Sequence, residues 1–259
     1  MTERGFPEKF TVDPTAPTFT AENLQTGKGL AGGDPLQRLQ HAGYLRAPLD
    51  KPLFQVADLE PNGDGLHEQY RQRLTAFLAR GPLEIEIGFG DGNFLLDRAQ
   101  KHPERQFIGF ELRWHLLRHV LKAAETRPLP NLWVSADDAR YALARSLPPA
   151  CASVLHVLLP DPWWKRRHQY KRMFADFSVT LLARGLAPGG IMHVRTDVPG
   201  YAELIEEIVT ASGLFTPHDD SLAAHFPDLT PTTREAWCYE NGFPIFTFYF
   251  QRLGPPEEN

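Results

Sequence analysis

A chain of 259 residues, 42% of them hydrophobic, can bury one large α/β core or a domain with an appendage. Its formal net charge of -5 argues against affinity for nucleic acid over the whole surface, so any such binding must come from a local patch. The start MTERGFPEKF lacks the apolar stretch of a leader, no segment approaches the ~20 apolar residues of a membrane span, and Cys151 and Cys238 have no C-x-x-C spacing, which excludes a disulfide framework and a cysteine zinc site and predicts a cytoplasmic protein.

Residues 1–65 are rich in Pro, Gly and isolated charges without a sustained period, and read as an irregular N-terminal extension, partly disordered at its start. The folded domain is expected over 66–259. From Leu66, LHEQYRQRLTAFLARG places Leu66, Tyr70, Leu74, Phe77 and Leu78 on one helical face and stops at Gly81-Pro82, which predicts a helix docked on the rest of the domain. Strand-like and helix-like segments then alternate. LEIEIGF, RQFIGFEL, NLWVSADD, ASVLHVLLP and GGIMHVRTD read as strands. Helices are predicted from Asn93, through WHLLRHVLKAAE, near ARYALARSL, from about Arg172 to Arg184, and from Gly200 to Ser212. Such alternation implies βαβ units and a mostly parallel sheet with helices on both faces. GFPIFTFYFQR comes too soon for another crossover, so this last strand is predicted to run antiparallel inside the sheet.

In open α/β sheets ligands bind beyond the carboxyl ends of the strands, and here every predicted tip carries a carboxylate. GFGDG follows the first strand, Glu111 the second, Asp137-Asp138 the third, Asp161 the fourth and Thr196-Asp197 the fifth. Any one of these acids can be a helix cap; five in succession at one end point to a ligand. Gly88, Gly90 and Gly92 form G-x-G-x-G, whereas a dinucleotide fingerprint needs glycine where Asn93 stands, which disfavours a dehydrogenase. Glu111, some twenty residues after the turn, can bind both hydroxyls of a ribose. A glycine turn beside a ribose acid, without a pyrophosphate cradle, suits S-adenosylmethionine. Glu86 is then placed to hold the methionine end and Asp138 to lie near the adenine edge.

The densest positive charge follows the fourth tip. In LLPDPWWKRRHQYKRMF, five of the eight residues from Lys165 to Arg172 are Lys or Arg, behind Trp163 and Trp164. Lys165, Arg166, Arg167, Lys171 and Arg172 can hold phosphates beside a reacting centre, and a tryptophan can stack on a base. The competing reading is a solvated charge run with its tryptophans in the core.

LEIEIGFGDGNF, FIGFEL, DDARYAL, PDPWWKRRHQYKR, VRTD and TTREAWCYENGFPIF occur in the order, and near the spacing, of the tRNA (guanine-N7-)-methyltransferase family, which residues 66–252 resemble. The resemblance implies a class I, Rossmann-like domain that transfers methyl from S-adenosylmethionine to N7 of a variable-loop guanine in tRNA. It matches Gly88, Gly90, Gly92, Glu86, Glu111, Asp138 and Asp161 to the cofactor site, and Lys165, Arg167 and His168 to the basic motif. Asp197, Thr232 and Glu235 fall around the guanine, with Asp161 and Asp197 closest to the chemistry. Three positions depart from the family pattern: Trp164 stands in place of a second proline, Tyr170 in a usually basic place, and Arg234 in place of an aromatic residue. No metal and no membrane partner are expected, and the assembly is expected to be a monomer or homodimer. Two other readings stay open: methylation of an amino group on another base or on a protein, and a noncatalytic RNA-binding relic of the fold.

Overall fold

Strand-forming segments on both sides of a glycine turn set the frame of the domain. The computed structural model describes residues 65–165 and 171–254, so the expected extension, apart from Gly65, and residues 166–170 of the basic segment lie outside the described residues. The strands are β1 (Leu83–Ile87), β2 (Gln106–Phe110), β3 (Leu132–Ser135), β4 (Ala152–Leu158), β5 (Leu186–Thr196) and β6 (Phe246–Gln251). They form one sheet in the order β3-β2-β1-β4-β5-β6, parallel except for β6. The chain starts in the middle, winds outward to β3, and returns across β1 to β4. The order therefore reverses beside β1, and a crevice opens at the tips of β1 and β4.

The helices are α1 (Gly65–Leu78), α2 (Asn93–Lys101), α3 (Trp114–Thr126), α4 (Asp176–Gly185), α5 (Pro199–Ala211) and α6 (Thr233–Glu240). Alternate residues of the strands point to opposite faces, and both faces are covered. On one face Ile85, Phe110, Leu155 and Val194 pack with Leu74 and Phe77 of α1, Leu182 of α4 and Ile205 of α5. On the other, Phe107 packs with Leu95 and Ala99 of α2 and with Leu117 and Val120 of α3.

That second face also buries charge. Glu84, on β1, accepts from Arg98 Nη2 of α2 and from Arg105 Nη1, each at 2.8 Å, and lies 3.1 Å from His156 Nε2. Burial pushes its carboxyl up, but the hydrogen bond and charge of His156 and those of Arg98 outweigh that and hold it at about 2. Arg98 also reaches Asp228 at 3.0 Å, tying α2 to the segment before α6.

Two expectations shift. The helix predicted from Arg172 starts at Asp176. Arg172 is instead buried, its Nε donating to the Pro162 carbonyl at 2.7 Å and its guanidinium lying over Trp164, so it closes the loop after β4. The C-terminal strand is antiparallel as expected, pairing Ile191 with Gln251 through Thr196 with Phe246, but it stands at the end of the sheet order. Beyond it only a single bridge forms among the described residues, Phe215 to Arg252. Past that bridge the β6 amides turn to side chains, Gln251 N–H donating to Thr216 Oγ1 at 3.1 Å and Tyr249 N–H to His218 Nδ1 at 3.0 Å, so the outer segment never becomes a full strand.

Candidate active site

The turn after β1 owes its shape to its glycines. Gly90 has φ 58° and Gly92 φ 80°, left-handed backbone that disfavours any side chain. Gly92 is the N-cap of α2, and a Cβ there would come within 2.2 Å of Val120 on α3. A Cβ on Gly90 would instead meet no atom within 4 Å, so this part of the turn faces open space. Its N–H donates to Glu111 Oε2 at 3.1 Å.

Glu111 stands at the β2 tip and is nearly buried. Its Oε1 accepts from the backbone N–H and Nε of Arg113, both at 2.9 Å. Burial raises the carboxyl, but the hydrogen bonds and charge of Arg113 and the Gly90 N–H outweigh it, leaving Glu111 below the ordinary carboxylate value. The group is therefore a fixed anion. Glu86 is the opposite case: buried, with Oε2 lacking a partner, it is held well above the ordinary range by burial and by the carboxylates of Glu235, Asp91 and Glu111.

The tips of β1 to β4 enclose a cavity of about 460 Å³, whose lining includes Gly88, Glu111, Asp138, Asp161, Trp163 and Lys171. Asp138 caps the short helical turn Ala139–Tyr141 through the Arg140 N–H at 3.0 Å and pairs with the Arg140 guanidinium at 2.6 Å. Its neighbour Asp137 also faces the cavity, and burial, against a 2.5 Å hydrogen bond from Ser135, pushes it up to about 6. The residues present fit S-adenosylmethionine. Gly90 leaves space for a close approach, Glu111 offers an ionised acceptor, and the unpartnered Glu86 oxygen can accept from an ammonium group.

The loop after β4 forms the outer wall. Leu159 and Trp163 take left-handed backbone, φ 52° and 42°, which costs roughly 1–3 kcal/mol each and persists only where the surroundings enforce it. Lys171 Nζ lies 4.6 Å from the centre of the Trp163 ring. Lys165 is exposed; Arg167 and His168 lie outside the described residues. Of the five cations expected to face phosphate, Arg172 is removed by its burial.

At the β5 tip, Asp197 Oδ2 accepts from Arg234 Nε at 3.1 Å and Nη2 at 2.7 Å. Thr232 and Glu235, expected around the guanine, form a capping box on α6: Thr232 Oγ1 accepts from the Glu235 N–H at 3.2 Å, and Glu235 Oε2 from the Thr232 N–H at 2.7 Å. Glu235 Oε1 also takes Arg195 Nη1 at 2.5 Å, and the residue is fully buried. Both Glu235 oxygens are thus engaged within the protein, whereas the Arg234 donors both fall on Oδ2 of Asp197. Thr233, not singled out in the sequence, donates to Asp91 at 2.5 Å and accepts from Asn93 at 2.8 Å, which ties α6 to the glycine turn. Arg113, the main partner of Glu111, is equally silent in the sequence; its only signal there is a position two residues beyond a strand-tip acid.

Comparison with known proteins gives a consistent picture. A family described as "Putative methyltransferase" matches residues 80–247. The tRNA (guanine-N(7)-)-methyltransferase of Myxococcus xanthus is 35% identical over 174 residues, covering 64% of this chain and 81% of the relative. The protein of the same name from Anaeromyxobacter dehalogenans is 35% identical over 195 residues, covering 75% and 96%. Among solved structures, a variant of a 16S rRNA (adenine(1408)-N(1))-methyltransferase from Catenulisporales acidiphilia, with cosubstrate SAM, superposes with a TM-score of 0.53 at 16% identity, covering 80% of this chain and all of that one. At that identity the likeness speaks for the fold.

Proposed function

The chain belongs to the tRNA (guanine-N7-)-methyltransferase family, and from that premise we propose that it transfers a methyl group from S-adenosylmethionine to N7 of a guanine in tRNA. The observation that carries the reading is a single cavity lined by Glu111 and Asp138 together with Asp161, Trp163 and Lys171. A cofactor pocket and Lys171, near the end of the cationic segment, thus share one cavity.

S-adenosylmethionine supplies, when bound, an electrophilic methyl on sulfonium. Glu111 holds the ribose hydroxyls as a fixed anion, Gly88 and Gly90 leave room for them, and Glu86 and Asp138 serve the methionine and adenine ends. Guanine N7 carries an in-plane lone pair and no proton, so no side chain has to remove one; the protein's task is alignment. Asp161 lines the same cavity as Glu111, Asp138 and Lys171 and helps fix the approach of the base. Asp197 accepts from guanine N1–H and the exocyclic amine, which selects guanine and offsets the positive charge developing on the purine. Lys165 and Lys171, with Arg167 and His168, anchor phosphates.

The test is incubation with labelled S-adenosylmethionine and unmodified tRNA, followed by nucleoside analysis. 7-Methylguanosine is the expected product. A methyl on an exocyclic amine would move the assignment to an amino-group enzyme, and absence of both cofactor binding and product would mean a noncatalytic RNA-binding protein.

A further inference from the structure

The ion pair between Arg234 and Asp197 is part of a stack. The Arg234 guanidinium carbon lies 4.6 Å from the Trp237 ring centre, and Trp237 in turn stacks on Phe243 at 5.2 Å with an interplanar angle of 18°. Arg234 and Trp237 are three residues apart on α6 and share a face. Trp237 is 42% exposed and Phe243 50%, so the stack stands in solvent. Because Thr233 binds Asp91 and Asn93, this outer group is pinned beside the glycine turn of the cofactor cavity.

The guanidinium has the outline of a piece of guanine. Guanine presents N1–H and its exocyclic N–H on a planar carbon bonded to three nitrogens; Arg234 presents Nε–H and Nη2–H on the same kind of carbon, and both donors converge on Asp197 Oδ2. We propose that Arg234 holds the place of the target guanine. The base enters between Asp197 and Trp237: its N1–H and amine replace the two arginine donors, its ring takes the face of Trp237, and the released Arg234 turns outward into solvent. An exposed ion pair is weak enough to be exchanged in this way, and stacking on an aromatic ring supplies part of the gain. Trp237 is thereby a positioning residue for the base, and Arg234 a gate that only a planar group with two adjacent donors can replace on equal terms. The inference rests on the assignment of Asp197 to guanine under the proposed function.

Steady-state methylation of unmodified tRNA at saturating S-adenosylmethionine tests it. If the parent protein makes no 7-methylguanosine, the functional reading and this placement fall together. Given that product, Trp237→Ala should raise KM for tRNA on the order of tenfold, with cofactor affinity at the parent's value, and Trp237→Phe should restore most of the loss. Arg234→Ala should lower KM roughly two- to fivefold, because the base no longer has to displace an ion pair. Methylguanidinium chloride should inhibit Arg234→Ala competitively with tRNA, and the parent no more than potassium chloride does at equal ionic strength. An unchanged KM in a Trp237→Ala protein that still binds cofactor, or a KM for Arg234→Ala equal to or above the parent's, overturns the placement while leaving the methyltransferase reading intact.

Discussion

Replacing Glu111 by glutamine keeps the shape of the β2 tip and changes only charge and one acceptor. In the parent, Oε2 takes the Gly90 N–H and Oε1 takes two donors of Arg113. A glutamine must turn its amide nitrogen toward one of these donors. Arg113 is 62% exposed, so its side-chain pair is screened and contributes little. The hydrogen bond to Gly90 is the one that shapes the cofactor side, and weakening it costs about 1 kcal/mol. A ribose hydroxyl bound to a neutral amide in place of a carboxylate loses roughly another 1 kcal/mol, since charge-assisted bonds are about twice as strong. Together these give about 2 kcal/mol, or a roughly 30-fold rise in Kd for S-adenosylmethionine. Glu111→Ala removes both acceptors and should cost about 1 kcal/mol more. Titration calorimetry reads the affinity, and thermal unfolding without cofactor confirms the fold. A Kd within threefold of the parent in a folded Glu111→Gln protein would refute the ribose assignment and the role of the turn as a preorganised cradle.

Gly92→Ala should lower stability by roughly 2–4 kcal/mol, from left-handed strain plus the overlap with Val120, whereas Gly90→Ala should cost about 1–2 kcal/mol of strain and act mainly on cofactor affinity; urea unfolding and calorimetry separate the two. Glu84, held at about 2 in the fold against an ordinary value of 4.5, contributes roughly 3 kcal/mol that is present above pH ~4.5 and lost as pH falls toward 2. Glu84→Gln should therefore be less stable at pH 7 and show a flatter stability profile between pH 4.5 and 2, and an unchanged profile would remove the buried network from the account. Changing Lys165, Arg166, Arg167 and Lys171 to glutamine should weaken tRNA binding and reduce the slope of log affinity against log salt by up to about 3 while cofactor affinity holds. Arg172→Gln should instead lower the melting temperature with little change in that slope, because Arg172 binds the Pro162 carbonyl from a buried position.

The sheet and the acids at its strand tips were legible because they depend on short-range pattern. Apolar runs of strand length, each ending at an acid or a glycine turn, mark β1 to β5 and their tips, and the structure places Glu111, Asp138 and Asp161 around one cavity. What could not be read is decided by contacts distant in sequence. Arg172 is indistinguishable from Lys171 in a cationic run, and folded contacts such as those to the Pro162 carbonyl and the Trp164 ring separate a buried arginine from a solvated one. The edge position of β6 depends on a segment some 35 residues earlier, where the Thr216 and His218 side chains take the β6 amides after the bridge at Phe215. The Thr-x-x-Glu of residues 232–235 has a local meaning as a capping box, and the structure gives it that meaning. The Arg234–Trp237 stack is visible as an i, i+3 pair, but its relation to Asp197 needs α6 folded back against the β5 tip.

The acids at the strand ends show why residue type alone does not assign a role. Glu84 and Glu86 are two residues apart on one strand and both buried, yet the first, surrounded by Arg98, Arg105 and His156, is a structural anion. The second is pushed toward its neutral form by burial and by the carboxylates of Glu235, Asp91 and Glu111, and keeps an unpartnered oxygen. A cationic ligand group arriving at Glu86 would favour its ionised form, so cofactor binding there should be coupled to proton release. Glu111 is already ionised and preorganised, which suits hydroxyl donors and requires no proton movement. Asp197, partly exposed at the β5 tip, accepts on one oxygen from Arg234 and, at 3.7 Å, from the Cys238 thiol, and under the proposed function it passes from the arginine to the base. The acids thus run from a locked charge on the sheet, through a fixed acceptor at the cavity, to an arginine-paired carboxylate at the β5 tip. That is the order of permanence expected for the fold, the cofactor and the RNA.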